Sequence, residues 1–337
     1  MKKPLFRVLL LFLLVSCARN VRTQASGGLE YAQWFDLTDG AVVIHSPFGA
    51  PDDTLQLEGP VRSVVCMSSS YIGFLDALGC DSVVTAVSGL DYVQDPEVRG
   101  SARDVGYDAA LNYELILRLK PDLLLTYAVS AAEPPYLAKL RELGVRPVLL
   151  HEHLESHPLA RAEYIKLFGT LTGREAAADS IFREVRDRYL ELVKRPKDPK
   201  KVLVNIPYAD QWYIPGGDNY MTRLIEDAGG TVLGAVPGQF QSSVISVEKA
   251  FEYAQEVDLW LNPGWCRTKA QLGSVHPLFS EFPVLSGPVW NNTLQETPGG
   301  GNAFWETGPA RPDLILRDLR AIFEGKDTPM AYFVPVL

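Results

Sequence analysis

The chain has 337 residues, 47% of them hydrophobic, and a net charge of −9. That is apolar material for more than one core, and the length favours two domains. The acidic balance excludes a nucleic-acid partner, because such binding needs clustered Lys and Arg to displace counterions.

The N-terminus reads as a leader. Lys2, Lys3 and Arg7 form a positive region, residues 5–15 an apolar stretch, and Ser16 precedes Cys17 in a Leu-Val-Ser-Cys cleavage box. The stretch is shorter than the roughly 20 apolar residues that span a bilayer, and no later stretch is long enough. Residues 1–16 are therefore expected to be removed as a signal peptide, and Cys17 to carry acyl chains that hold the protein to a membrane, facing the periplasm. Without the leader, 29 basic side chains stand against 41 acidic ones, a net charge of −12. Cys66, Cys80 and Cys266 remain, an odd number. Cys66 and Cys80 are one pairing to consider, but no zinc-type spacing occurs, and three small buried hydrophobes is the favoured reading.

Residues 31–57 read as a β-hairpin with its turn at Asp39-Gly40, within an anchor and linker region 17–60. From Val61 the pattern alternates. Strands are expected at 61–66, 82–87, 122–126 and 146–150, with helices at 69–78, 112–119 and 134–143, an N-terminal α/β lobe over 61–160. A bridging region, 161–196, carries a stretch 173–194 with Ala176, Ile181, Val185, Tyr189 and Leu192 apolar at roughly helical spacing and no internal Gly or Pro. As one helix it would span roughly 33 Å. A second α/β lobe, 197–337, restarts at 201–206, with helices at 221–228, 247–254 and 309–323 and strands at 257–262 and around Val284-Leu285. An echo links the halves: Asn112-Tyr113-Glu114 leads to Pro121-Asp122, and Ser246-Val247-Glu248 leads to Val257-Asp258. The fold class is α/β: two lobes with parallel-rich sheets joined by one long helix, plus the N-terminal hairpin.

Several motifs in order carry a resemblance. They are Arg62 to Ser70 followed by Leu78-Gly79, Asp104-Val105-Gly106, Leu115 to Leu125 with its Leu-Lys-Pro-Asp core, Leu140 to Val145, and Phe168-Gly169 through Gly173-Arg174-Glu175. From Val61 to the C-terminal helix the chain resembles the substrate-binding proteins of ABC importers, of the class whose two lobes are bridged by one long helix and which captures iron-siderophores, haem or vitamin B12. The resemblance implies no catalysis and no intrinsic cofactor. The expected ligand is a ferric siderophore or a corrinoid, and the expected partners are the importer's membrane subunits. It also implies that Glu114 and Glu248, one in each half, engage arginines of those subunits. The protein is expected to act as a monomer.

A cleft protein of this kind needs aromatic and polar groups at the strand ends. In the first lobe these are Ser68, Ser69 and Ser70 at a helix start, with Tyr92 and Tyr107. In the second they are Tyr208, Trp212, Tyr213, Trp265, Trp290 and Asn291, with Glu306 and Arg311 read as a polar pair at the cleft edge. The serines have helix capping as their rival role, and no nucleophile elbow surrounds them. His151 and His153 leave a strand toward opposite faces, so a shared metal ion is not expected. The alternatives from other classes are an exported α/β enzyme and a carrier of free Zn or Mn.

Overall fold

Backbone pairing beyond residue 28 follows the alternation of apolar runs and helices. The computed structural model describes residues 28–107, 110–208 and 211–337, so Cys17 and the leader lie outside the described residues. The first element is a three-stranded antiparallel sheet of β1 (Phe35–Thr38), β2 (Ala41–Ile44) and β3 (Asp53–Gln56), rather than the hairpin expected. The turn falls at Asp39-Gly40, where Gly40 takes φ 76°. The third strand was illegible because Asp-Thr-Leu-Gln buries only Leu55. Two buried carboxylates fasten the chain before β1 to the first lobe: Glu163 accepts from the backbone N–H of Glu30, Tyr31 and Ala32, and Glu155 from those of Gln33 and Trp34.

The first lobe is a fully parallel sheet of β4 (Val64–Cys66), β5 (Val84–Val87), β6 (Arg103–Asp104), β7 (Leu123–Thr126) and β8 (Pro147–Leu149), in the order β6-β5-β4-β7-β8. Helices Ser69–Ala77, Tyr113–Leu119 and Pro135–Glu142 connect the strands. The second lobe contains β9 (Lys200–Val204), β10 (Trp212–Ile214), β11 (Gly230–Val232), β12 (Ser243–Ile245), β13 (Leu259–Leu261), β14 (Val289–Asn291) and β15 (Val334–Pro335). Its main sheet runs β11-β9-β13-β14-β15 with only β15 antiparallel, and β10 and β12 form a separate ribbon. The strand expected at Val284-Leu285 is instead a 3-10 turn, Pro283–Ser286, and the strand follows at β14. Pro283 lacks the N–H that a ladder requires.

Between the lobes one helix, Glu175–Leu192, runs 18 residues, about 27 Å at 1.5 Å per residue. It is shorter than the 22 residues expected, because Gly173 (φ 68°) ends the preceding helix and Arg174 starts this one. Ala178, Phe182, Val185 and Tyr189 are its buried stripe. Among the described residues no helix is long and apolar enough to cross a membrane. Cys66, Cys80 and Cys266 are free and buried.

The echo between the halves has a physical basis. Asn112 and Ser246 each cap their helix by accepting a backbone N–H three residues on. Asp122 accepts from the backbone of Arg62 and Ser63, and Asp258 from Lys201, so each aspartate pins the start of its lobe's first strand. Glu248 adds to its cap by accepting from its own backbone N–H and from the Ser246 hydroxyl, whereas Glu114 pairs with Arg118 one turn on.

Candidate functional site

In an open α/β sheet a crevice forms beyond the carboxyl ends of the strands where their order reverses. In the first lobe that point lies between β4 and β7, and in the second between β9 and β13. The two carboxyl edges are brought together: segment 89–95, leaving β5, meets segment 295–306, following β14.

On the first-lobe wall Ser68 occupies the N-cap position of helix Ser69–Ala77 without capping it. Its Oγ lies 2.8 Å from Ser70 Oγ, which donates to Glu152 Oε1 at 2.7 Å. Glu152 Oε2 in turn accepts from Arg161 Nε at 2.8 Å, and the Arg161 guanidinium lies 4.2 Å over the Tyr220 ring of the second lobe. Both members of that ion pair are buried. Ser68 and Ser69 are half-buried, but Ser70, expected at the ligand surface, is buried and serves this chain instead. Glu152 was not among the expected site residues. The sequence signal for it is a carboxylate in the short segment that leaves an apolar strand.

Around the mouth, Tyr92 and Tyr107 meet edge to face with ring centroids 5.9 Å apart, and Tyr127 contacts His153 at 5.6 Å. All three tyrosines are exposed. Asp104 receives the backbone N–H groups of Gly89, Leu90 and Gly106 and so fixes the two loops that carry Tyr92 and Tyr107. Burial raises its pKa, but those three bonds outweigh it and hold the carboxyl below the usual range.

On the second-lobe wall, β9 and β13 are each followed directly by an asparagine of positive φ, Asn205 at 65° and Asn262 at 58°. Non-glycine residues in this region cluster at functional sites, where surrounding structure over-determines them. Asn262 Oδ1 is buried without a partner among the described residues. Tyr208 is 81% exposed and Trp265 60% exposed, far too open to be packing plugs. Tyr213 is exposed and Trp290 half-buried.

Two expected second-lobe ligand residues are structural. Trp212 is fully buried and stacks on Trp260 at 5.6 Å, with Phe279 and Phe282 completing the core. The alternation of β10 sends Trp212 and Ile214 inward and Tyr213 outward. Asn291 is buried and donates to the carbonyls of Gly264 and Cys266, holding the turn that projects Trp265.

Glu306 and Arg311 do not pair. Arg311 forms a two-bond ion pair with Asp313, both bonds at 2.9 Å. Glu306 is buried and reaches the other lobe, accepting from the backbone N–H groups of Gln94 at 2.7 Å and Asp95 at 2.8 Å. Burial pushes its carboxyl up to about 7 despite those two bonds. Thr297 Oγ1 donates to the Asp91 carbonyl at 2.6 Å, and Gln94 Nε2 to the carbonyls of Gln295 and Gly301. This junction went unrecognised in the sequence, although the run of glycines at 299–301 was its signal. A Cβ on Gly301 would lie 1.9 Å from the Tyr92 carbonyl oxygen, so only glycine allows the backbones to meet.

The histidines do not converge. His151 packs on Phe48, His153 bonds the Ala128 carbonyl, and His157 accepts the Leu159 N–H at its own helix start. Burial pushes His151 and His157 down to about 4.

A profile of the periplasmic binding protein family matches residues 64–275. An uncharacterized lipoprotein of Methanocaldococcus jannaschii is 26% identical over 298 residues, covering 80% of this chain and 68% of its own length. A periplasmic heme-binding protein of Pseudomonas aeruginosa superposes with a TM-score of 0.63 at 20% identity, over 82% of this chain and 98% of that one. The vitamin B12-binding protein of Vibrio cholerae gives a TM-score of 0.57 at 17% identity, over 79% and 97%. With the profile spanning more than half of the chain, and two α/β lobes joined by one long helix, the protein belongs to the periplasmic binding protein family, in the class whose lobes are bridged by a single helix.

Proposed function

We propose that the protein is the substrate-binding component of an ABC importer and that it captures a metal chelate, a ferric siderophore or a corrinoid, in the interlobe crevice. The observation that carries this reading is the set of exposed aromatic rings beyond the carboxyl ends of both sheets, Tyr92, Tyr107 and Tyr127 in the first lobe and Tyr208 and Trp265 in the second, with Tyr213 on the adjoining ribbon. Flat aromatic faces with a few polar groups suit a broad, rigid ligand. Ser68, Ser69 and Trp290 belong to the same surface in this reading. The test is tryptophan fluorescence titration of the purified protein with cyanocobalamin, haemin and ferric hydroxamate and catecholate siderophores. Saturable binding of a siderophore or corrinoid is expected, and no binding to any of them would overturn the reading.

Docking on the membrane subunits is assigned to Glu114 and Glu248. Both are exposed near the starts of corresponding helices. Both complement the positive ends of their helices, an effect that solvent screens, but their recurrence at matching positions fits a paired contact with two copies of a subunit. Charge complementarity of this kind sets orientation and association rate. The double reversal Glu114→Arg with Glu248→Arg is expected to leave ligand affinity unchanged while abolishing uptake. Normal transport by that variant would remove the assignment.

Anchoring is assigned to Cys17, since two or more acyl chains hold a protein stably at a membrane. Cys17→Ser is expected to move the folded protein into the soluble fraction after carbonate washing. Retention on the membrane would contradict the anchor.

A further inference from the structure

The serine at the head of the first-lobe crevice is polarised from behind. A hydroxyl carries one proton and two lone pairs. Ser70 spends its proton on Glu152 Oε1 at 2.7 Å, a bond to a carboxylate and so roughly twice as strong as one to a neutral oxygen. Turning that proton toward Ser68 would leave a Ser70 lone pair facing the carboxylate oxygen in a buried site. Glu152 cannot move away, because its other oxygen is held by buried Arg161 at 2.8 Å. The 2.8 Å contact between the two serines therefore has one polarity: Ser68 donates and Ser70 accepts.

Ser68 then has no proton left for the crevice and presents only lone pairs. It sits directly after β4, at the switch point of the sheet, and it is half-buried with no capping bond to its own helix. Beside it, the first N–H groups of helix Ser69–Ala77 have no intrahelical acceptor. A primary amide satisfies both neighbours, its N–H facing Ser68 and its carbonyl facing the helix start. An ionised carboxylate satisfies the helix start but sets a second negative oxygen against the Ser68 lone pairs.

We infer that Ser68 is a hydrogen-bond acceptor toward the ligand, and that it selects chelates whose rim carries amide or hydroxyl donors over those edged by ionised carboxylates. The inference rests on the chelate-carrier reading above. Glu152 and Arg161 are positioning residues in it, acting only through Ser70.

The test compares two forms of one ring by tryptophan fluorescence: dicyanocobinamide, whose rim carries amides, and dicyanocobyrinic acid, whose rim carries carboxylates. The acidic protein repels the acid form in every variant alike, so the ratio of the two Kd values isolates the local effect. The wild type is expected to favour the amide form, and Ser68→Ala to reduce that preference about tenfold, equivalent to about 1.4 kcal/mol. Ser70→Ala frees the Ser68 proton, so it is expected to strengthen binding of the acid form. Ser68→Thr, which keeps the hydroxyl, is expected to retain the wild-type ratio and so separates a lost acceptor from a disturbed fold. An unchanged ratio in Ser68→Ala would overturn the inference and leave the chelate-carrier reading standing. Tighter binding of haemin, edged by carboxylates, than of cobinamide would do the same. Failure of the wild type to bind any chelate would overturn both.

Discussion

Replacing Arg161 by Ala is expected to destabilise the folded protein by about 3–5 kcal/mol, the cost of removing one partner from a buried ion pair. The variant leaves Glu152 buried, with Ser70 as its one remaining side-chain donor among the described residues. The loss exceeds that expected for Arg267, Lys249 or the other exposed ion-pair cations, where water and salt screen the pair. Urea denaturation of the two kinds of variant makes the comparison directly. The companion change Glu152→Met with Arg161→Met, which removes both charges, is expected to recover most of the loss, since an apolar pair of similar volume is often as stable as the ions it replaces. A loss below about 1 kcal/mol in Arg161→Ala would show that water reaches Glu152 and that the polar chain behind Ser68 is not sealed.

Gly73→Ala tests the junction between the lobes, and here two effects have opposite signs. Within helix Ser69–Ala77, alanine is intrinsically favoured over glycine by about 1 kcal/mol. A Cβ at this position, however, would lie 1.9 Å from the carbonyl oxygen of Glu306, a backbone atom that cannot step aside by rotating. Overpacking of this kind costs about 1–3 kcal/mol, and the helix must separate from segment 303–310 to relieve it. The expected result is net destabilisation, with a wider lobe separation in small-angle scattering and weaker ligand binding. Stabilisation by Gly73→Ala would mean that helix propensity decides the outcome and that the two lobes are not pressed together at this point.

Legibility in the sequence followed the range of the interaction concerned. The expected first-lobe strands and helices lie within a few residues of their positions, because apolar runs, the Asn112 cap, and stops at Gly79 and Gly144 act over one turn or one strand, as the Ser246 cap and the stop at Gly229 do in the second lobe. The bridging helix was visible for the same reason, in the spacing of Val185 and Tyr189. Trp212 shows where such reading ends. Its type and its place beside Tyr213 suit either a ligand wall or a core, and only the packing of β10 on Trp260 and Phe282 separates the inward ring from the outward one.

By itself the sequence determined the α/β class, the alternation of strands and helices in both halves, the single helical connection, and the aromatic supply of the loops. Those follow from periodicity and from residues that start and stop local structure. Tertiary structure alone decided which polar groups face the crevice and which hold it together. Glu306 is 212 residues from Gln94, whose N–H it accepts, and Glu152 is 82 residues from Ser70. No local pattern records such partners, because the energy of a buried carboxylate is set by the donors that the fold brings to it and by the water that the fold removes.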